Sequence, residues 1–129
     1  MGIRMNPAQN PVGWFEIYVQ DMARARAFYE GVFQLTLQEL PSPAIKMLAF
    51  PMGPELPGAG GALVHYPGKP SGDGGTLIYF NCADCAVEAA RAAARGGRVF
   101  KEKFSIGPYG FIALVIDTEE NMIGLHSQA

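Results

Sequence analysis

The chain carries little charge and no large excess of one sign, with 10 Lys and Arg against 12 Asp and Glu for a net charge of -2. The attraction that holds proteins to phosphate backbones is therefore missing, and no nucleic-acid partner is expected. No apolar run approaches the ~20 residues that span a bilayer, and residues 1–11 lack the apolar stretch of a secretory signal. No membrane partner is expected, and the chain reads as soluble and cytoplasmic. Cysteine is scarce as well: Cys82 and Cys85 form one isolated C-x-x-C. A structural zinc site wants four ligands, and the only histidines, His65 and His126, lie far from that pair and from each other. Two semi-buried thiols at a strand-to-helix junction are the simpler reading.

What is present is apolar and punctuated. The 129 residues are 49% hydrophobic with 16 Gly and 10 Pro, enough for one domain with a real core and too few for two independent ones. Residues 1–12 show no period and hold two prolines, which predicts a loose arm. From Trp14 to Val19, Phe15, Ile17 and Val19 alternate with Trp14, Glu16 and Tyr18, the period of a two-faced strand. Asp21 offers a helix cap, and Met22, Ala25, Phe28, Tyr29 and Val32 follow at helical spacing until Gly31 and the residues after it break the pattern.

The second half repeats this grammar. Leu77 to Cys82 is a strand candidate, Asp84 a cap, and an Ala-rich helix ends at Gly96-Gly97. Asp21 and Asp84, Ala23 and Ala86, Ala27 and Ala90, and Glu39 and Glu102 stand at one constant offset, which points to an internal duplication. Further strands are predicted at Leu35–Leu40, Ile45–Met52 and Ala62–Tyr66, and at Val99–Phe104, Phe111–Ile116 and Met122–His126. Two βαβββ modules result, over residues 13–66 and 76–127. The Gly- and Pro-rich residues 67–75 link them, and a second such stretch, 53–61, is a candidate lid.

The segments Trp14-Phe-Glu-Ile-Tyr-Val-Gln-Asp-Met-Ala-Arg-Ala-Arg-Ala-Phe-Tyr29 and Ile116-Asp-Thr-Glu-Glu-Asn-Met-Ile-Gly-Leu-His126 resemble the opening and closing motifs of the vicinal oxygen chelate superfamily. Its members include glyoxalases, bleomycin-resistance proteins and extradiol dioxygenases. The resemblance spans residues 13–127. It implies an α+β fold in which two modules form curved mixed sheets around a cavity, with helices on the outer faces. The period of two then places Phe15, Ile17, Val19, Leu63, Ile78, Phe80, Ile123 and Leu125 beneath the helices. Trp14, Glu16, Tyr18, Ala62, Val64, Leu77, Tyr79, Asn81, Gly124 and His126 fall on the cavity side.

Metal-dependent members of that superfamily place His, Gln or Glu at the first inward position of each module's first strand, and Glu on each last strand. Here those positions read Trp14, Ala62, Leu77 and Gly124, none of which offers a lone pair to a divalent ion. No metal and no cofactor are therefore expected. The expected function is metal-independent binding of a small organic molecule between the modules, through Trp14, Tyr18, Val64, Leu77, Tyr79 and Asn81. The aromatic stripe has a second reading as simple filling between modules. The alternative function is a lyase, isomerase or dioxygenase-type enzyme using Glu16 and His126 as base or displaced metal ligands. A non-catalytic interaction module is a third reading. The resemblance also implies a homodimer.

Overall fold

The computed structural model describes residues 10, 12–43, 45–72 and 74–129, so the expected arm over residues 1–12 lies outside the described residues except at 10 and 12. Trp14–Tyr18 forms strand β1. Asp21 then caps helix α1, Met22–Phe33, its carboxylate accepting the Arg24 N–H at 3.0 Å and so satisfying one of the donors a helix start leaves unpaired. Ala25, Phe28, Tyr29 and Val32 are buried along one face. Gly31, expected to break the helix, does not. The helix runs on to Phe33 and stops where Gln34 turns left-handed at φ 54°. Gly31 is a close-approach position instead: a Cβ there would come within 3.0 Å of the Arg95 side chain, which packs across from the second half.

The first sheet is completed by β2 (Gln38–Glu39), β3 (Lys46–Ala49) and β4 (Gly60–His65) in the order β1-β4-β3-β2. Only β1 and β4 run parallel; the other neighbours are antiparallel. The second half follows the same plan. Strand β5 (Tyr79–Asn81) leads to helix α2 (Cys85–Ala94), capped by Asp84, whose carboxylate accepts the Ala86 N–H at 3.0 Å. Then come β6 (Arg98–Ser105), a 3-10 turn at Gly107–Tyr109, β7 (Phe111–Ile116) and β8 (Met122–Ser127). The order β5-β8-β7-β6, with β5 and β8 parallel, reproduces that of the first sheet. The fold is α+β: two four-stranded mixed sheets and two helices.

One core serves both halves. Ile17, Val19, Leu63, Ile123 and Leu125 are buried in it beside residues of both helices, and Phe15, Ile78 and Phe80 pack against it. These are the eight positions that the period of two assigns to the helix side. Each large apolar side chain so buried contributes about 1.5–3 kcal/mol.

Two acids between β7 and β8 tie the halves together. Asp117 is buried and accepts the N–H groups of Glu119 (2.7 Å) and Asn121 (2.9 Å), while the Tyr29 hydroxyl of α1 donates to its other oxygen at 2.7 Å. Glu119 reaches the start of α1. It accepts the N–H groups of Gln20 (2.9 Å) and Asp21 (3.0 Å), and the Arg24 guanidinium at 2.7 and 2.9 Å. Burial alone would raise the Glu119 carboxyl, but Arg24 and the two backbone donors more than offset it and hold it down at about 2.

Candidate functional site

Strands β1 and β5 each lie at one edge of their sheet, hydrogen-bonded on one side only, opposite the edges formed by β2 and β6. On the core side these edges meet through Phe15 and Phe80, edge to face with centroids 6.4 Å apart. Phe80 also stacks on Phe33 at 4.4 Å, and Phe50 lies 5.6 Å from both Phe15 and Phe80. Above this aromatic floor opens a cleft of about 930 Å³, at the upper end of the roughly 300–1,000 Å³ of small-molecule sites. Its walls come from β1 and from residues 77–81, its rim from residues 57–59 and from 70–72 and 74–76. The candidate lid thus contributes Pro57, Gly58 and Ala59.

Trp14, Tyr18, Leu77, Tyr79 and Asn81 all line the cleft, as does Glu16. Trp14, Leu77 and Tyr79 keep 40%, 37% and 47% of their surface exposed. Val64 is not among the lining residues. It is fully buried, set in register between Tyr18 on β1 and Met47 on β3, whose larger side chains flank it. Phe15, Ile17, Ile78, Phe80 and Ile123 serve two roles, packing in or against the core and lining the cleft, which their assignment to the helix side did not anticipate.

Glu16 stands at the centre of the β1 wall. The Trp14 indole N–H donates to one carboxylate oxygen at 3.2 Å and the Tyr18 hydroxyl to the other at 2.9 Å. That bond raises the Tyr18 phenol above its ordinary value, so it remains a neutral donor. The Lys69 ammonium sits 5.2 Å from the Tyr18 ring centre. His126 lies elsewhere: it is absent from the cleft lining, and its Nε2 donates to the Tyr109 carbonyl at 2.7 Å, since a carbonyl can only accept. The structure does not bring Glu16 and His126 together in the cleft.

Sequence reasoning assigned no role to Asn121. Its amide donates to the Tyr18 carbonyl at 2.9 Å and its carbonyl accepts the Gly72 N–H at 2.7 Å, fastening the intermodule segment to β1 at the cleft mouth. The only signal was its place in the closing motif.

The four positions to which the resemblance assigns metal ligands carry no donor side chain here. Trp14 and Leu77 line the cleft and Ala62 is buried. At Gly124 the space is taken: a Cβ would collide with the ring of Tyr79, its partner in register. Among the described residues, no group of three or more His, Cys, Asp or Glu side chains converges to hold an ion. Cys82 and Cys85 are free thiols, and burial pushes Cys82 up to about 12, which keeps it protonated and unreactive. Among the described residues no helix is long and apolar enough to cross a membrane.

Residues 12–125 match the model of the Glyoxalase/Bleomycin resistance protein/Dioxygenase superfamily. The chain belongs to that superfamily. Solved structures agree. TnmS3, an antibiotic binding protein from Streptomyces sp. CB03234, is 26% identical with a TM-score of 0.67, over 96% of this chain and 100% of its own. A glyoxalase/bleomycin resistance protein from the same Streptomyces is 27% identical with a TM-score of 0.65, over 89% and 98%. Glyoxalase I from Zea mays, at 17% identity and a TM-score of 0.73, shows the shared fold; the match covers 92% of this chain and 46% of the maize chain. This chain thus spans about half the length of maize glyoxalase I. No curated protein matches it.

Proposed function

We propose that this protein binds a planar or partly apolar organic molecule in the β1/β5 cleft without a metal, and that it acts by sequestration. The carrying observation is the cleft itself: about 930 Å³, floored by Phe15, Phe50 and Phe80 and walled by Trp14, Tyr18 and Tyr79. Flat aromatic surfaces with a few hydrogen-bonding groups suit stacking and orientation rather than bond-making. Likeness over its whole length to an antibiotic binding protein supports the same reading. Glu16 without His126 leaves that pair no joint chemistry in the cleft.

We further propose a homodimer acting in the cytoplasm. Exposed apolar side chains outside the cleft, at Phe100 and Tyr109, favour a partner surface, and two unpaired thiols suit a reducing compartment.

Trp14 is the only tryptophan, so its fluorescence reports the cleft directly. Titration with a panel of planar aromatic compounds should quench it, and Trp14→Ala should weaken binding, measured by calorimetry, by about 1–3 kcal/mol. EDTA should change nothing. Binding that vanishes with EDTA and returns with nickel, zinc or manganese would overturn the metal-free reading.

A further inference from the structure

Among the described residues that line the cleft there is one formal charge, and it is negative. Of these residues, Glu16 alone is a charged side chain; Ser71, Thr76, Asn81 and Asn121 supply neutral polar groups, and the rest of the lining is aromatic, aliphatic or backbone. We infer that the cleft selects organic cations, seating a protonated amine or quaternary nitrogen against Glu16 between Trp14 and Tyr18. This rests on the small-molecule reading above and names the ligand class.

The geometry of Glu16 carries the inference. Each carboxylate oxygen accepts one hydrogen bond, from Trp14 at 3.2 Å and from Tyr18 at 2.9 Å. A carboxylate offers about four acceptor sites, so roughly half its capacity stays open. The same two bonds hold aromatic groups on both sides of the charge, and aromatic faces attract cations through their quadrupole. Lys69, at 5.2 Å from the Tyr18 ring centre, already makes such a contact.

Desolvation supplies the selectivity. A neutral ligand without a hydrogen-bond donor strips water from Glu16 and returns nothing for it, and one with a donor returns only a neutral hydrogen bond. An anion adds repulsion to that loss. A cation replaces the lost water with a direct charge contact, which gains strength as solvent leaves the cleft.

The test compares N-methylquinolinium with 4-methylquinoline, its neutral counterpart of the same size, by calorimetry in mildly alkaline buffer. The cation should bind roughly tenfold more tightly. Added salt should weaken the cation and leave the neutral compound unchanged. In Glu16→Gln, shown to be folded by its thermal transition, the preference should disappear. Equal binding of the two compounds by the parent, or a preference that survives Glu16→Gln, overturns cation selection and leaves the small-molecule reading standing. Failure of both compounds to bind overturns cation selection together with that reading. Because the salt response is read on the parent protein, the inference stays open to refutation even if the variant does not fold.

Discussion

Replacing Glu119 with Gln keeps the side chain's shape and removes its charge, and the consequence follows from the contacts of that residue. The carboxylate is buried, accepts two backbone N–H groups and the Arg24 guanidinium, and is held at about 2 against an ordinary 4.5. At 1.36 kcal/mol per pH unit, that difference favours the ionised form by about 3 kcal/mol. Arg24 is 51% exposed, so solvent screens part of this, and an expected loss of about 2–3 kcal/mol remains. With a slope of about 1–3 kcal/mol per molar urea, the unfolding midpoint at neutral pH should fall by roughly 1–3 M. The sign with pH is fixed too. A carboxyl depressed in the folded state stabilises above its unfolded value of 4.5, and that contribution fades as pH drops toward about 2. The gap between parent and variant should therefore be full at neutral pH and close through that window. Asp117, raised chiefly by burial, titrates in both proteins and cancels from the difference. A variant within about 0.5 kcal/mol of the parent at neutral pH, the scatter of ordinary surface changes, would refute the role given to Glu119, as would a gap that stays constant into acid.

Three further outcomes are expected. Phe80→Ala removes the ring that stacks on Phe33 and touches Phe15, Phe50 and Tyr29, and should cost about 3 kcal/mol in urea unfolding; an unchanged midpoint would contradict its place between core and cleft. Cys82, a protonated thiol with its acidity pushed up to about 12, should resist iodoacetamide in the native protein and react once unfolded, as mass spectrometry would show. Sedimentation at micromolar concentration should give twice the 13.9 kDa chain mass, and a species at the single-chain mass alone would reject the homodimer.

Strand faces were legible in the sequence because the period of two is a purely local property. Phe15 through Val19 sort themselves by alternation, and Asp21 and Asp84 announce their helices by side-chain chemistry that acts within three residues. What was hidden depends on distant partners. Gly31 reads as a helix breaker until Arg95 is seen lying across it. His126 reads as a cavity-side base or displaced ligand until the turn at Gly107–Tyr109 presents a carbonyl to it. Val64 alternates onto the cavity face, yet its flanking strands carry larger side chains and it stays buried. Asp117, Glu119 and Asn121 look like loop residues, and only the fold shows that they join the second module to the first.

The packing of Tyr79 on Gly124 bears on how the chain can change. Any side chain added at residue 124 must enter space the Tyr79 ring now fills, so a glutamate placed there alone meets a steric wall before it meets an ion. Tyr79 replaced alone leaves the glycine uncovered and the cleft wall without its ring. The two positions are therefore epistatic. A path from this cleft to one with a donor side chain at residue 124 has to accommodate both positions together, and a library that varies residue 124 with Tyr79 held fixed should return mostly glycine.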